Sequence, residues 1–395
     1  MIDQHLPCPP PRATVQELRL SAFKSHTGSA LPLGPVTLLH GDSGAGKSNA
    51  LDALVALSGL AGGGELEEAL SGVRGGLPGC VPHGRQGFRL GCSVGTPQGT
   101  VGLDVTVRTD GRPRVAAERL DLDGHPLLRT GEEDRARGRI NAAWFSGGRQ
   151  RDIQAPLSAS SLLTAQLPLR VAGATAGERQ VLTAVEQLLT ALRELFVIDP
   201  VPGLMRGWDQ ELDDARLRSS GENLSAVIAR LQGECRIRYG KLVRAVRAGS
   251  PHPVVGLGVL REAATGAARV TAALDEGGGR WTPAALLGAG TLRRLAFATV
   301  LLTGPEVLQM RSAAEVPDAD RLLTVLAEDL DPDLYPVLLP LADEVAARGH
   351  VRLLATGRAP AELPGVLDVH CRRDPVTGGS DLVPAAAAAS ATMAP

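Results

Sequence analysis

The segment Gly41-Asp42-Ser43-Gly44-Ala45-Gly46-Lys47-Ser48 constrains this chain more than any other. It is a G-x-x-x-x-G-K-[ST] run standing between the apolar stretch 36–39 and the helical pattern 49–57. A loop that leaves a buried strand and opens a helix commits its surroundings to the strand–loop–helix unit of an α/β fold. Its glycines let the backbone curl until several N–H groups and the helix N-terminus converge on one point, which suits phosphate. Lys47 can reach the β- and γ-phosphates, and the Ser48 hydroxyl can hold Mg2+. Gly41, Ser43, Gly44, Ala45, Gly46 and Asn49 complete the expected nucleotide contacts. A glycine-rich turn can match the pattern by accident, but lysine is nearly absent, with three residues in 395, and one fills the required position.

Hydrophobic residues make up 44% and charged residues 21%, which places the chain among ordinary globular proteins with room for one large domain or two moderate ones. No apolar run approaches the roughly 18 residues of a membrane span, and the start, Met1 to His5, lacks the layout of a signal peptide. No membrane partner is expected. Cys8, Cys80, Cys92, Cys235 and Cys371 are scattered without C-x-x-C spacing. That argues against a disulfide framework or a zinc site and for a reducing cytoplasm. The net charge of −2 offers no global basic field, and three tryptophans, two tyrosines and five phenylalanines leave little for base stacking. DNA is therefore a weakly supported partner.

Residues 1–13 are proline-rich and read as a disordered N-terminus, and 384–395 as a low-complexity disordered tail. Alternation over 15–23 predicts a strand, followed by the strand and helix of the phosphate loop, a glycine-rich insertion over 62–87, and β segments from 88 to about 144. From 158 to about 247 the apolar residues recur at helical spacing. Strands are expected at 254–260 and 269–274, a helix at 291–302, a buried strand at 322–327, a helix at 334–347 and a buried strand at 351–355. The organisation expected is a nucleotide-binding lobe over 14–157, a mainly helical insertion over 158–250 and a second lobe over 251–383.

A phosphate loop needs an acidic partner that holds the metal and orients the attacking water. Glu328 and Asp329 follow directly on the apolar strand 322–327, ahead of another buried strand. The alternative is an acidic helix N-terminus favoured by the helix dipole. Glu328 lies 281 residues beyond Lys47, too far for small GTPases or ring-forming motors. The guanine-reading [NT]-K-x-D motif is absent as well, which disfavours GTP.

The run 18–25, Leu-Arg-Leu-Ser-Ala-Phe-Lys-Ser, followed by the loop ending Lys47-Ser48-Asn49-Ala50-Leu51-Asp52-Ala53-Leu54, resembles the N-terminal lobe of RecF/SMC-like ABC-type ATPases. Glu328-Asp329-Leu330-Asp331 and Leu334-Tyr335-Pro336 resemble that family's acidic pair and the element after it. Gly288-Ala289-Gly290-Thr291-Leu292-Arg293 falls where its signature stands. The segments 199–206 and 221–224 are similar to the middle of stand-alone RecF-like ATPases.

The resemblance implies an ABC-type head of mixed β-sheets with flanking helices. It implies ATP and Mg2+ as cofactors, with Glu328 beside Ser48 at the metal and Asp329 polarising water. It also implies a homodimer that sandwiches ATP between one phosphate loop and the partner's Gly288, Gly290 and Arg293. Two glutamines, Gln150 and Gln154, stand in the interval of the family's metal-completing glutamine, and each reads equally as a polar loop residue. The chain departs from the family at Gly288, where a serine is usual, at Ser43, where an asparagine is usual, and at Gly357, where a switch histidine is usual. Arg358 and Arg293 are candidate substitute cations, and each reads more readily as a solvated or ion-paired arginine.

These readings lead to a dimerising ATP-dependent switch with slow or conditional hydrolysis. The resemblance sets it in DNA repair or anti-phage defence, beside an effector partner. The alternative is a degenerate scaffold that keeps ATP as an assembly element. A small-molecule kinase would need a lid and an acceptor site, for which no motif stands out.

Overall fold

The computed structural model describes residues 12–147, 153–234, 236–250, 253–263, 268–310, 316–317 and 321–385. The chain opens with β1 (Thr14–Ala22), β2 (Ser29–Pro32) and β3 (Val36–His40), and the phosphate loop then leads into α1 (Lys47–Ala61). The glycine-rich insertion over 62–87 carries the short helices α2 (Leu66–Ala69) and α3 (Gly76–Cys80). Six strands follow: β4 (Gly87–Thr96), β5 (Gly99–Arg108), β6 (Arg114–Leu122), β7 (His125–Asp134), β8 (Arg139–Trp144) and β9 (Ile153–Ser158). With β1 and β2 they form an antiparallel sheet in the order β2-β1-β4-β5-β6-β7-β8-β9.

Next come α4 (Leu163–Gln166), α5 (Ala176–Arg193), β10 (Leu195–Ile198), β11 (Asp209–Gln210), α6 (Leu224–Glu234) and α7 (Arg236–Ala248). Besides these helices, the segment 158–250 carries β10, which joins a central sheet, and β11, which joins a small one. Four apolar residues directly after a helix are too few to display either period, and β10 gains its partner only from a strand about 130 residues further on. Then come β12 (Gly256–Ala263), β13 (Ala268–Asp275), β14 (Trp281–Pro283), α8 (Ala289–Leu302), β15 (Leu323–Ala327), α9 (Tyr335–Ala346), β16 (Val351–Gly357), β17 (Val366–Arg373) and β18 (Ser380–Pro384). A small antiparallel sheet joins β11, β13, β12 and β14. Pro384, where the tail was expected to begin, ends β18; residues 1–11 and 386–395 lie outside the described residues.

The central sheet runs β10-β15-β16-β3-β17-β18, parallel except for β18. The segments 14–157 and 251–383 therefore share a sheet, with β3 between β16 and β17. Its strands are continuous apolar runs because both faces are covered. Val36, Leu38, Leu323, Val325, Ala327, Leu353 and Ala355 face the core built with α6, α8 and α9. Leu39, Leu326 and Leu354 face the other core, against α1, α5 and the antiparallel sheet. Helix α5 starts on a capping box in which Thr175 and Glu178 satisfy each other's backbone N–H groups. The mixed α/β class expected from the sequence is the class observed, and no described helix is long and apolar enough to cross a membrane.

Candidate functional site

The phosphate loop sits where β3 hands the chain to α1, at the carboxyl edge of the central sheet. Gly41, Gly44 and Gly46 have φ of +142°, +79° and +108°. A Cβ on Gly41 would lie 2.2 Å from the Cys371 carbonyl oxygen, and one on Gly46 would lie 2.3 Å from Ser380 Oγ. Both positions combine a left-handed backbone with close approach, which only glycine accommodates. Gly44 faces open space. Helix α1 has neither a side-chain cap nor an acid in its first turn, so its first N–H groups remain available to an anion. Lys47 Nζ donates to the Gly41 and Asp42 carbonyls at 2.7 and 2.8 Å, which holds the ammonium against the loop.

Distant segments brace this loop. His26 is fully buried with Nε2 3.0 Å from the Gly46 carbonyl, a contact that requires the Nε2–H tautomer. Burial holds the His26 pKa below its ordinary value, against the raising influence of its backbone contacts. Ser25 Oγ accepts from Asn49 Nδ2 at 2.8 Å and contacts Ser380 Oγ at 2.7 Å. From β17, Cys371 Sγ donates to the Ala45 carbonyl and Arg373 Nη1 to the Gly44 carbonyl. His40 stacks on His370 with centroids 5.1 Å apart, a strand-end packing role.

Glu328 and Asp329 leave β15 at the same sheet edge, with β16 lying between β15 and the phosphate-loop strand. Asp329 adopts φ +47°, and its N–H donates to Thr356 Oγ1 at 2.9 Å. The next N–H, of Leu330, donates to the Thr356 carbonyl at 2.7 Å. Glu328 lies 3.5 Å from Arg74 Nη1. The Arg74 fork also holds the buried Asp52 of α1, with Nε at 3.0 Å and Nη2 at 2.9 Å, and Lys24 Nζ reaches that carboxylate at 2.7 Å. Burial raises the Glu328 pKa; Arg74 opposes the rise, while Asp52, Asp199 and Asp329 reinforce it.

The sequence reading missed Arg74 as a member of this site, and Asp199 was named there only as part of the 199–206 segment. Asp52 and Lys24 were legible only as parts of a motif. An acid on the buried face of α1 demands a cation, a signal that the sequence carries without naming the partner.

The signature-like segment stands apart from these groups. Gly288 caps α8 in extended conformation, with Gly290 in its first turn, and a Cβ on either would meet nothing within 4 Å. No hydrogen bond or ion pair among the described residues joins Gly288, Gly290 or Arg293 to the phosphate loop or the acidic pair. Gln150 lies outside the described residues; Gln154 is exposed on edge strand β9.

The described residues contain no cluster of three or more histidines, cysteines or carboxylates able to hold a metal ion. An Mg2+ ion beside a nucleotide needs only one or two protein oxygens, with phosphate oxygens and water completing its shell. Ser48 and Glu328 are the residues that fit it. A cavity of about 390 Å3, lined by Arg238, Lys241, Arg321, Arg348 and His350, lies at the opposite edge of the sheet beside Leu323 and Val351.

No protein-family model and no curated protein matches the chain. Solved structures similar to it include the SMC head domain from Thermotoga maritima, at 14% identity over 94% of this chain and 98% of that one, with a TM-score of 0.44. An Smc head domain from Pyrococcus furiosus, solved with an extended coiled coil and the C-terminal domain of ScpA, shows 10% identity over 96% and 98%, with a TM-score of 0.48. The recombination mediator RecF with ATP shows 11% identity over 96% and 100%, with a TM-score of 0.40.

Proposed function

We propose that this chain is an ATP·Mg2+-binding ATPase that works as a dimerising switch. One observation carries the reading: a braced phosphate loop and the Glu328–Asp329 pair occupy the same edge of one parallel sheet, on strands separated only by β16. In this reading the loop amides, the α1 N-terminus and Lys47 bind the triphosphate. Ser48 and Glu328 hold Mg2+, which offsets phosphate charge when bound. Asp329 orients water and takes its proton.

The open N-terminus of α8, with Gly288, Gly290 and Arg293, would donate to the nucleotide of a second copy. Its lack of contact with its own loop supports action in trans. We place the switch in the cytoplasm, with an effector partner in DNA repair or anti-phage defence, and with DNA as a candidate ligand.

A second reading, an ATP-locked scaffold, is favoured by two observations: Arg74 already pairs with Glu328, and β16 ends without a side chain at Gly357. Turnover measured beside light-scattering mass, with and without ATP·Mg2+ and duplex DNA, separates the two. Lys47→Ala should abolish binding, while Asp329→Ala should keep binding and lose turnover. Tight binding without turnover under every condition selects the scaffold, and loss of binding in Asp329→Ala refutes the assignment of the acidic strand.

A further inference from the structure

Strand β16 separates the two halves of the site, and its last residue is Gly357, paired in register with His40 immediately before the phosphate loop. A Cβ at 357 would lie 1.8 Å from Tyr335 Oη and 3.0 Å from Cζ, with the Leu330 carbonyl oxygen at 3.3 Å. The phenol of Tyr335 therefore takes the space of a side chain at this point. Its ring is buried at the start of α9, and its hydroxyl donates to the Ala359 carbonyl at 3.2 Å. The turn from Glu328 to Tyr335 is thus closed onto the β16 edge at both ends. Thr356 receives the Asp329 and Leu330 N–H groups, and Ala359 receives the Tyr335 hydroxyl. Between these ties Asp329 is held in a left-handed conformation that costs a non-glycine residue free energy and persists only where its surroundings over-determine it.

We propose that Tyr335 is a positioning residue for Asp329: its phenol replaces a side chain at 357 and fixes the turn that presents the Asp329 carboxylate to the phosphate loop. This rests on the ATPase reading above and assigns to residue 335 a role that residue 357 cannot fill here. Tyr335 itself touches no reacting atom in this scheme.

The test uses the full chain with Tyr335→Phe, Tyr335→Leu, Gly357→Ala and the Tyr335→Leu/Gly357→Ala pair, measuring ATP affinity, turnover and thermal midpoint. Tyr335→Phe keeps the ring, so ATP affinity should stay within about twofold of the parent while turnover falls about ten- to a hundredfold, as expected when a catalytic group loses its placement. Gly357→Ala should lower the thermal midpoint in the parent and lower it less in the Tyr335→Leu background, because the colliding hydroxyl is gone. Parental turnover in Tyr335→Phe overturns the proposal. So does an equal fall in affinity and turnover, or a cost of Gly357→Ala that is the same in both backgrounds. A parent that binds ATP yet never turns it over also overturns it. A parent that binds no ATP defeats the ATPase reading first, and is recognised before any variant is compared.

Discussion

Arg74 Nη1 lies 3.5 Å from Glu328 Oε1 while the rest of the same guanidinium grips Asp52, so one arginine from the glycine-rich segment ties α1 to the end of β15. Arg74 is the group that holds the raised Glu328 pKa down. In the proposed site the metal needs Glu328 ionised, so Arg74→Ala should move to higher pH the midpoint at which Mg2+ strengthens ATP binding. The stability loss should stay near 1 kcal/mol, roughly, because Asp52 keeps Lys24 and Arg74 is half-exposed. Calorimetric titration with and without Mg2+ across the acid range checks both, and an unmoved midpoint removes Arg74 from the site.

Glycines 44 and 46 should separate conformation from contact. Gly44→Ala meets only the cost of a left-handed alanine, about 1 kcal/mol, since its surroundings are open. Gly46→Ala adds a collision with Ser380 and Ser25, so it should lose more than about 2 kcal/mol and most ATP affinity. Chemical denaturation and nucleotide titration of the two variants give the comparison. Equal losses would mean that Ser380 does not press on the loop.

His26→Ala removes one donor from the Gly46 carbonyl, which keeps the Asn49 and Ala50 N–H groups, and opens a buried space, for an expected loss of about 1–3 kcal/mol. The pH dependence has a definite sign. Native His26 resists protonation, so the unfolded chain binds the extra proton first. Its contribution is complete above the ordinary value of 6.5 and is lost as pH falls below it. The parent and variant melting curves should converge on acidification; a constant gap would contradict a neutral, buried His26.

Glu118 is buried in the antiparallel sheet and accepts from the Leu163 and Thr164 N–H groups and the Thr164 hydroxyl. Glu118→Ala leaves the α4 amides without their acceptor and should cost about 2–4 kcal/mol, with Glu118→Gln milder. Burial pushes the Glu118 pKa up to about 7 from 4.5, so the native state keeps a proton that the unfolded chain has lost. Stability from this group should fall as pH rises from 4.5 to about 7 and stay level above it. Glu118→Gln should flatten that part of the profile in denaturant titrations.

The parts of the site that local backbone chemistry imposes were legible in the sequence. Gly41 and Gly46 mark the loop because nothing larger fits, and the apolar runs at 36–39 and 322–327 mark strands covered on both faces. The signature-like glycines were legible as a helix start, but the sequence alone does not bring them to the phosphate loop, and neither do the contacts within one copy. Pairings across the fold were hidden. Leu195–Ile198 became a strand only through β15, Arg74 met Glu328 from a segment that read as a glycine-rich insertion, and Gly357 looked like a missing side chain until Tyr335 filled its place. Such relations are set by packing between segments far apart in the chain, which no local period records.

The loop at 41–48 depends on Ser380, which presses on Gly46 and contacts Ser25 Oγ, and on Cys371 and Arg373, which hold its carbonyls. During synthesis from the N-terminus, residues 25 to 49 emerge long before these partners. A ribosome-bound chain halted before residue 371 would carry the whole phosphate-loop motif with none of this bracing. In the ATPase reading proposed above, ATP binding by a nascent chain would therefore report that β17 and β18 have docked.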